Sequence, residues 1–184
     1  MSAVESKKSK IIIIIGVFLL GIAIGFGIGF EFGRENRVTK PLDNSQAKKD
    51  VYVGEYKVLR VIDGDTIEIE GGERVRYIGI DTPEVGANGK ADECYAQKAK
   101  EKNQELVLGK NVELRKDVSD RDQYGRLLRY VFVDGLSINI ELVRLGLAKV
   151  ASFPPDVRYQ DEITSAQSEA REKKSGLWVA CPQE

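Results

Sequence analysis

Residues 11–30 form twenty consecutive uncharged, almost wholly apolar positions that open on five isoleucines in a row. Few structures can accommodate such a run. As a helix rising 1.5 Å per residue it spans about 30 Å, the thickness of a bilayer's hydrocarbon core. Lys7, Lys8 and Lys10 precede it. A cleaved signal peptide would carry a shorter apolar region, about 7–15 residues, ending at small residues of A-x-A type. Here the run leads instead into Phe30, Glu31 and Phe32. A buried core helix is the third alternative, but an isoleucine run punctuated by glycines makes a poor soluble helix. The reading adopted is an uncleaved signal anchor at 11–30, behind a short N-terminal tail at 1–10.

Lys and Arg flank the run on both sides: Lys7, Lys8 and Lys10 before it, Arg34, Arg37 and Lys40 after it. The leading group is the tighter cluster. The positive-inside rule therefore favours a cytoplasmic N-terminus and a membrane-anchored domain outside the cytoplasm. Gly21, Gly25, Gly29 and Gly33 recur every four residues. That is a small-xxx-small ridge suited to a homodimer, or else the ordinary glycine content of membrane helices. Residues 31–53 are polar, with Pro41, Asn44, Ser45 and Gln46 and no hydrophobic period. They read as a flexible linker whose root-mean-square reach is about 25 Å.

Beyond the linker, residues 54–180 read as one domain, with 181–184 as a tail. Alternating segments at 55–62, 65–70 and 74–81 are predicted strands, the last two joined through Gly71 and Gly72. Residues 111–115 and 127–133 are two more. Helices are predicted at 92–108, at 137–145 with Ser137 as N-cap, and at 159–174 with Tyr159, Ile163, Ala166 and Ala170 on one face. Five short strands with late helices suggest an all-β/α+β architecture: an OB-type five-stranded β-barrel with three packed helices, preceded by one transmembrane helix.

The chain contains no histidine and two cysteines. That excludes Ser-His and Cys-His catalytic pairs, most catalytic zinc sites and four-thiolate metal sites. Any resident metal should be a hard cation bound by oxygen. Asp63-Gly64-Asp65-Thr66 taken alone suits a hairpin turn, and Asp81-Thr82-Pro83-Glu84 taken alone suits a cap or turn. If strands two and three pair about Gly71-Gly72, opposed residues sum to roughly 143 and residues 62–63 face 80–81. Asp63, Asp65, Asp81 and Glu84 then converge, and as bare anions they would require protonation or a cation. Arg76 and Arg126 stand near the same place. Each alone could be a solvated charge; together they suit bidentate phosphate binding.

The stretches Val61-Ile62-Asp63-Gly64-Asp65-Thr66, Arg76-x-x-Gly79-Ile80-Asp81-Thr82-Pro83-Glu84, Asp122-Gln123-Tyr124-Gly125-Arg126 and Asn139-x-x-Leu142-Val143-Arg144-x-Gly146-x-Ala148 occur in that order. Over about residues 55–178 this resembles the staphylococcal nuclease (thermonuclease) family. The resemblance implies an OB-type barrel and a calcium-dependent hydrolase of DNA and RNA leaving 3′-phosphates, with single strands preferred. It implies Ca²⁺ ligands at Asp65, Asp81 and the Thr82 carbonyl, with Asp63 behind them. It implies Glu84 as the base that activates water, Arg76 and Arg126 as the transition-state pair, and Tyr124 as a phosphate contact. Lys90, in the loop after Glu84, is a candidate substrate contact or a solvated lysine.

The chain departs from the family pattern in two places. Gln123 stands where a lysine is expected. Ser152, Phe153, Pro154 and Pro155 replace an aromatic pair, with Phe153 a partial substitute. The domain from Val51 onward is net acidic, so weak, salt-sensitive binding is expected. An extracytoplasmic domain with an even pair of cysteines favours a Cys94–Cys181 disulfide; two reduced, buried thiols are the alternative. A non-catalytic OB-fold module that binds nucleic acid, or a tethered assembly protein, would need none of Asp65, Asp81, Glu84, Arg76 and Arg126.

Overall fold

The computed structural model describes residues 51–87 and 89–182. The predicted membrane anchor, the glycine ridge and the predicted linker as far as residue 50 lie outside the described residues. Among those described, no helix is long and apolar enough to cross a membrane.

The chain runs through β1 (Val51–Val61), β2 (Thr66–Ile69), β3 (Arg74–Tyr77), β4 (Gly79–Asp81) and α1 (Ala96–Val107). It continues through β5 (Asn111–Lys116), β6 (Leu127–Val133), β7 (Leu136–Ser137), α2 (Ile138–Arg144), β8 (Lys149–Ala151), α3 (Gln160–Glu172) and α4 (Leu177–Ala180). β1 is long enough to serve two neighbours. Its first half pairs antiparallel with β5 and its second half with β2, and the register shifts between Val58 and Arg60. Such an irregularity bends a strand and turns a barrel's corner. β2 and β3 form a hairpin across Gly71 and Gly72, whose φ angles of +87° and +79° suit glycine in a tight hairpin turn. A parallel pairing of β3 with β6, Val75 opposite Leu127 and Tyr77 opposite Arg129, then closes a barrel of five strands: β1, β2, β3, β6 and β5.

Alternation fills the barrel. Val58, Val61, Ile67, Ile69, Val75, Tyr77, Val112, Leu114 and Val131 are all buried and belong to one core cluster. At about 1.5–3 kcal/mol per buried aliphatic side chain, this set is the main favourable term holding the strands together. The helices cover the barrel with apolar stripes. α3 buries Ile163, Ala166 and Ala170, as the spacing predicts, and α2 buries Ile138, Leu142 and Val143. Ser137 caps α2, its side chain accepting a hydrogen bond from the Ile140 amide.

Three sequence expectations are corrected. The third strand is not continuous to Asp81. It breaks after Tyr77, and at Gly79 (φ +81°) the chain turns out of the barrel so that β4 pairs with β8. A side chain at Gly79 would also strike Ile163 Cδ1 at 2.7 Å. The β2–β3 register runs Thr66 opposite Arg76, a sum of 142, and stops there, so Asp81 does not face residue 62 across a ladder. The first helix begins at Ala96 rather than 92, because Tyr95 adopts φ +74° and the acids before it serve a loop. β1 starts at Val51, and Cys181 is bonded to Cys94.

Candidate active site

The turn between β1 and β2 is built by its own acids. Asp63 Oδ1 accepts a hydrogen bond from the Asp65 amide at 3.0 Å, an Asx-type turn. Gly64 allows the turn to press on Thr82, since a Cβ there would lie 2.7 Å from that side chain. Asp65 is buried, and its Oδ2 accepts from both the amide (2.8 Å) and the hydroxyl (3.1 Å) of Thr82. Its Oδ1 accepts from the Thr66 hydroxyl at 3.2 Å and pairs with Arg76. The Arg76 guanidinium also donates to Asp81 Oδ1 at 2.7 Å and to the Ile80 carbonyl at 3.2 Å.

Of the four acids expected to converge, Asp65 and Asp81 are linked, through Arg76 and not across the expected ladder. Arg76 reaches from the end of β3 and brackets Asp65 and Asp81. Asp63 faces its own turn, so the four acids are not a single bare cluster and a guanidinium supplies part of the balancing charge. Among the described residues, no group of three or more His, Cys, Asp or Glu side chains is gathered to hold a metal. The donors the resemblance implies are the Thr82 carbonyl, Asp81, and Asp65, whose two oxygens are already taken up by Thr66, Arg76 and Thr82. All are hard oxygen ligands, and Asp81 is largely exposed, with only its Oδ1 used by Arg76. Calcium takes such oxygen donors together with water, and Asp65 would have to exchange some of its present contacts to bind it.

Arg126 is positioned by Asp122. Asp122 Oδ1 accepts from the amides of Tyr124 (2.9 Å) and Arg126 (3.0 Å), and Oδ2 accepts from Arg126 Nε at 2.7 Å. The Arg126 guanidinium then lies 3.5 Å from the Thr66 hydroxyl, and Thr66 is the strand partner of Arg76. Thr66 thus lies beside both arginines, Arg126 near its hydroxyl and Arg76 across the β2–β3 pairing. Arg126 also lies over the Tyr124 ring, 5.5 Å from its centroid.

Glu84 sits on a loop cinched by three further hydrogen bonds. Its amide donates to Glu93 Oε2, its carbonyl accepts from the Glu93 amide, and the Gly86 amide donates to Asp92 Oδ1. Burial pushes the Glu84 carboxyl above its ordinary value; the charges of Asp63, Asp81 and Glu93 add to this, and Arg76 opposes it. Burial likewise raises Asp63, outweighing its hydrogen bonds with Thr66 and the charges of Arg76 and Arg126.

Two cavities share Tyr124 and Arg126. One, of about 400 Å³, is also lined by Arg76, Ile80 and Phe153. The other, of about 700 Å³, is also lined by Glu84 and Arg74. Lys90 lines neither; it lines a third hollow, together with Glu84, Val85 and Glu93. Cys94 and Cys181 form a disulfide directly beside Glu93.

Sequence reasoning assigned no role to Asp122, Glu93 or Asn103. Asn103 is buried on α1, accepting from the Tyr77 hydroxyl and donating to the Asp63 carbonyl. Its signal was a polar residue on the stripe Ala96, Ala99, Asn103, Val107. Asp122 had a turn signal, as an acid two residues ahead of Tyr124.

Residues 74–180 match the family model described as "Staphylococcal nuclease homologue". The chain is 36% identical over 166 residues to a thermonuclease of Staphylococcus intermedius, covering 89% of this chain and 95% of that protein. It is 40% identical over 124 residues to the SPbeta prophage-derived endonuclease YokF of Bacillus subtilis (strain 168), covering 65% of this chain and 42% of that one. To the endonuclease YncB of the same organism it is 41% identical over 124 residues, 65% of this chain and 59% of the other. The match thus spans less than two thirds of both Bacillus proteins.

Proposed function

Because this chain belongs to the staphylococcal nuclease family, we propose that it is an endonuclease that hydrolyses phosphodiester bonds of DNA and RNA, calcium-dependent and leaving 3′-phosphates. The observation that carries the reading is the meeting of Arg76, Arg126 and Glu84 around two cavities that share one wall. Two guanidinium groups can clasp a single phosphodiester while a carboxylate stands by as base.

In this reading Asp65, Asp81 and the Thr82 carbonyl hold the calcium. Bound there, the ion would polarise a phosphoryl oxygen and acidify water. Glu84 removes a proton from the attacking water. The water oxygen forms the new P–O bond as the bond to the 5′ oxygen breaks; that oxygen leaves as a hydroxyl, taking a proton from solvent water, and Glu84 returns its own proton to solvent. Arg76 and Arg126 stabilise charge on the phosphoryl group throughout. Tyr124 and Phe153, 75% and 73% exposed, offer aromatic faces on which bases can stack.

Residues 11–30 act as a membrane anchor that holds the domain outside the cytoplasm. Their length and the Lys7, Lys8, Lys10 cluster support this, as does the disulfide, a bond that persists in oxidising compartments. The test is cleavage of single- and double-stranded DNA with calcium and then with chelator. Glu84→Gln should lose at least a few hundredfold in rate while staying folded. Full activity in chelator, or in folded Glu84→Gln, would refute the proposal.

A further inference from the structure

The larger cavity has a feature the catalytic reading does not use. Arg74 is an exposed side chain in its wall, two residues before Arg76 on β3. Alternation puts both arginines on the outer face of that strand, about 6.6 Å apart along it. Successive phosphates of an extended nucleic-acid strand are separated by a similar distance.

Arg74 is also left uncompensated by its surroundings. The acid opposite it in the β2–β3 register is Glu68, and Arg60 donates to that carboxylate at 2.6 Å. The acid next to it in sequence is Glu73, gripped by Arg121 through bonds of 2.8 and 3.0 Å. Among the described residues Arg74 forms no ion pair of its own. Both neighbouring carboxylates are thus neutralised by other arginines, and one guanidinium is left facing a polar cavity that also holds Glu84 and Arg126.

We propose that Arg74 binds the phosphate next to the scissile one, on the side away from the Phe153 cavity. This rests on the nuclease reading and deepens it. The substrate is then a polynucleotide running through both cavities, with Arg76 and Arg126 on the reacting phosphate and Arg74 on its neighbour. Arg74 is a binding residue that selects extended chains; it takes no part in the bond-breaking step.

The test compares the full-length wild type with Arg74→Ala and Arg74→Lys on two substrates. One is a single-stranded DNA decamer; the other is a dinucleoside monophosphate, which carries the scissile phosphate and no other. The ratio of kcat/KM for decamer over dinucleoside should fall about five- to tenfold in Arg74→Ala, through KM for the decamer. The slope of log KM for the decamer against log salt should become shallower by about 0.7, the value for one phosphate contact on a single strand. Arg74→Lys should restore that slope. An active wild type whose Arg74→Ala variant keeps both ratio and slope overturns the Arg74 assignment alone, as does an equal loss on both substrates. A wild type that cuts neither substrate overturns the nuclease reading, and this inference with it.

Discussion

Replacing Asp122 by Asn separates the fold of the 122–126 turn from the placement of Arg126. Asp122 Oδ1 holds two main-chain amides and Oδ2 holds Arg126 Nε. An asparagine keeps a carbonyl oxygen for the two amides, so the turn survives. Its NH₂ group, however, meets Nε–H donor to donor. The bond lost is charge-assisted, a class worth about 1.5–3 kcal/mol when buried. This pair is partly exposed, at 28% and 15% of the two side chains, so the stability cost should be nearer 1 kcal/mol. That corresponds to a melting-point drop of about 2–8 °C. The effect on rate should be larger. Removing one charge-stabilising donor typically costs about 10²–10³ in kcat, and misplacing it by about 1 Å can cost about 10². We expect kcat to fall ten- to hundredfold with a small change in KM. The assay is cleavage of labelled single-stranded DNA at saturating calcium, beside calorimetry for folding. If folded Asp122→Asn keeps kcat within about threefold of wild type while Arg126→Ala is crippled, Asp122 does not hold Arg126.

The same carboxyl sets a pH expectation. Burial would raise Asp122, but hydrogen bonds from Arg126 and the Tyr124 amide outweigh it and leave the group below its ordinary value. A carboxyl depressed on folding contributes stability above its unfolded value of about 3.9 and loses it as pH falls towards the folded value. The urea midpoint of Asp122→Asn should therefore decline less steeply than wild type below about pH 4; parallel declines would remove the linkage. Glu93→Ala should lower kcat about tenfold by freeing the Glu84 amide, while Glu93→Gln, which keeps an acceptor, should recover most of it. Identical rates for the two variants would show that Glu93 does not position Glu84. Opening the Cys94–Cys181 bond, by reductant or by paired serines, should remove up to about 4–5 kcal/mol on the chain-entropy model. Equal urea midpoints with and without reductant would contradict it.

The strands and two of the helices were legible in the sequence because alternation and the stripe Ile163, Ala166, Ala170 are short-range signals. Gly71-Gly72 fixed the hairpin for the same reason. What the pattern could not carry was Gly79. A glycine within an apolar run reads as a weak strand position; its positive φ, and the approach of Ile163 that leaves no room for a Cβ, are tertiary facts. The convergence of Asp65 and Asp81 was legible as charge; its agent was not, since the reach of Arg76 around a broken strand is a tertiary fact. Asp92 and Glu93 fall within the helix predicted over 92–108, yet both carboxylates are used on loop amides. Local sequence offers a carboxylate two equivalent uses, and tertiary geometry selects one.

The disulfide spans 87 positions of sequence and ends just before the described residues do. A protease nick anywhere between its two cysteines, including the exposed turn at Tyr124, would leave both fragments covalently joined. A nick at 85–91 would not: the piece bearing Asp65, Arg76 and Glu84 would then stay with the piece bearing Arg126 only through strand pairing and packing. Digestion followed by electrophoresis with and without thiol reagent would distinguish the two kinds of cut. Only the second kind would let denaturant separate the halves of the active site while the bridge is intact.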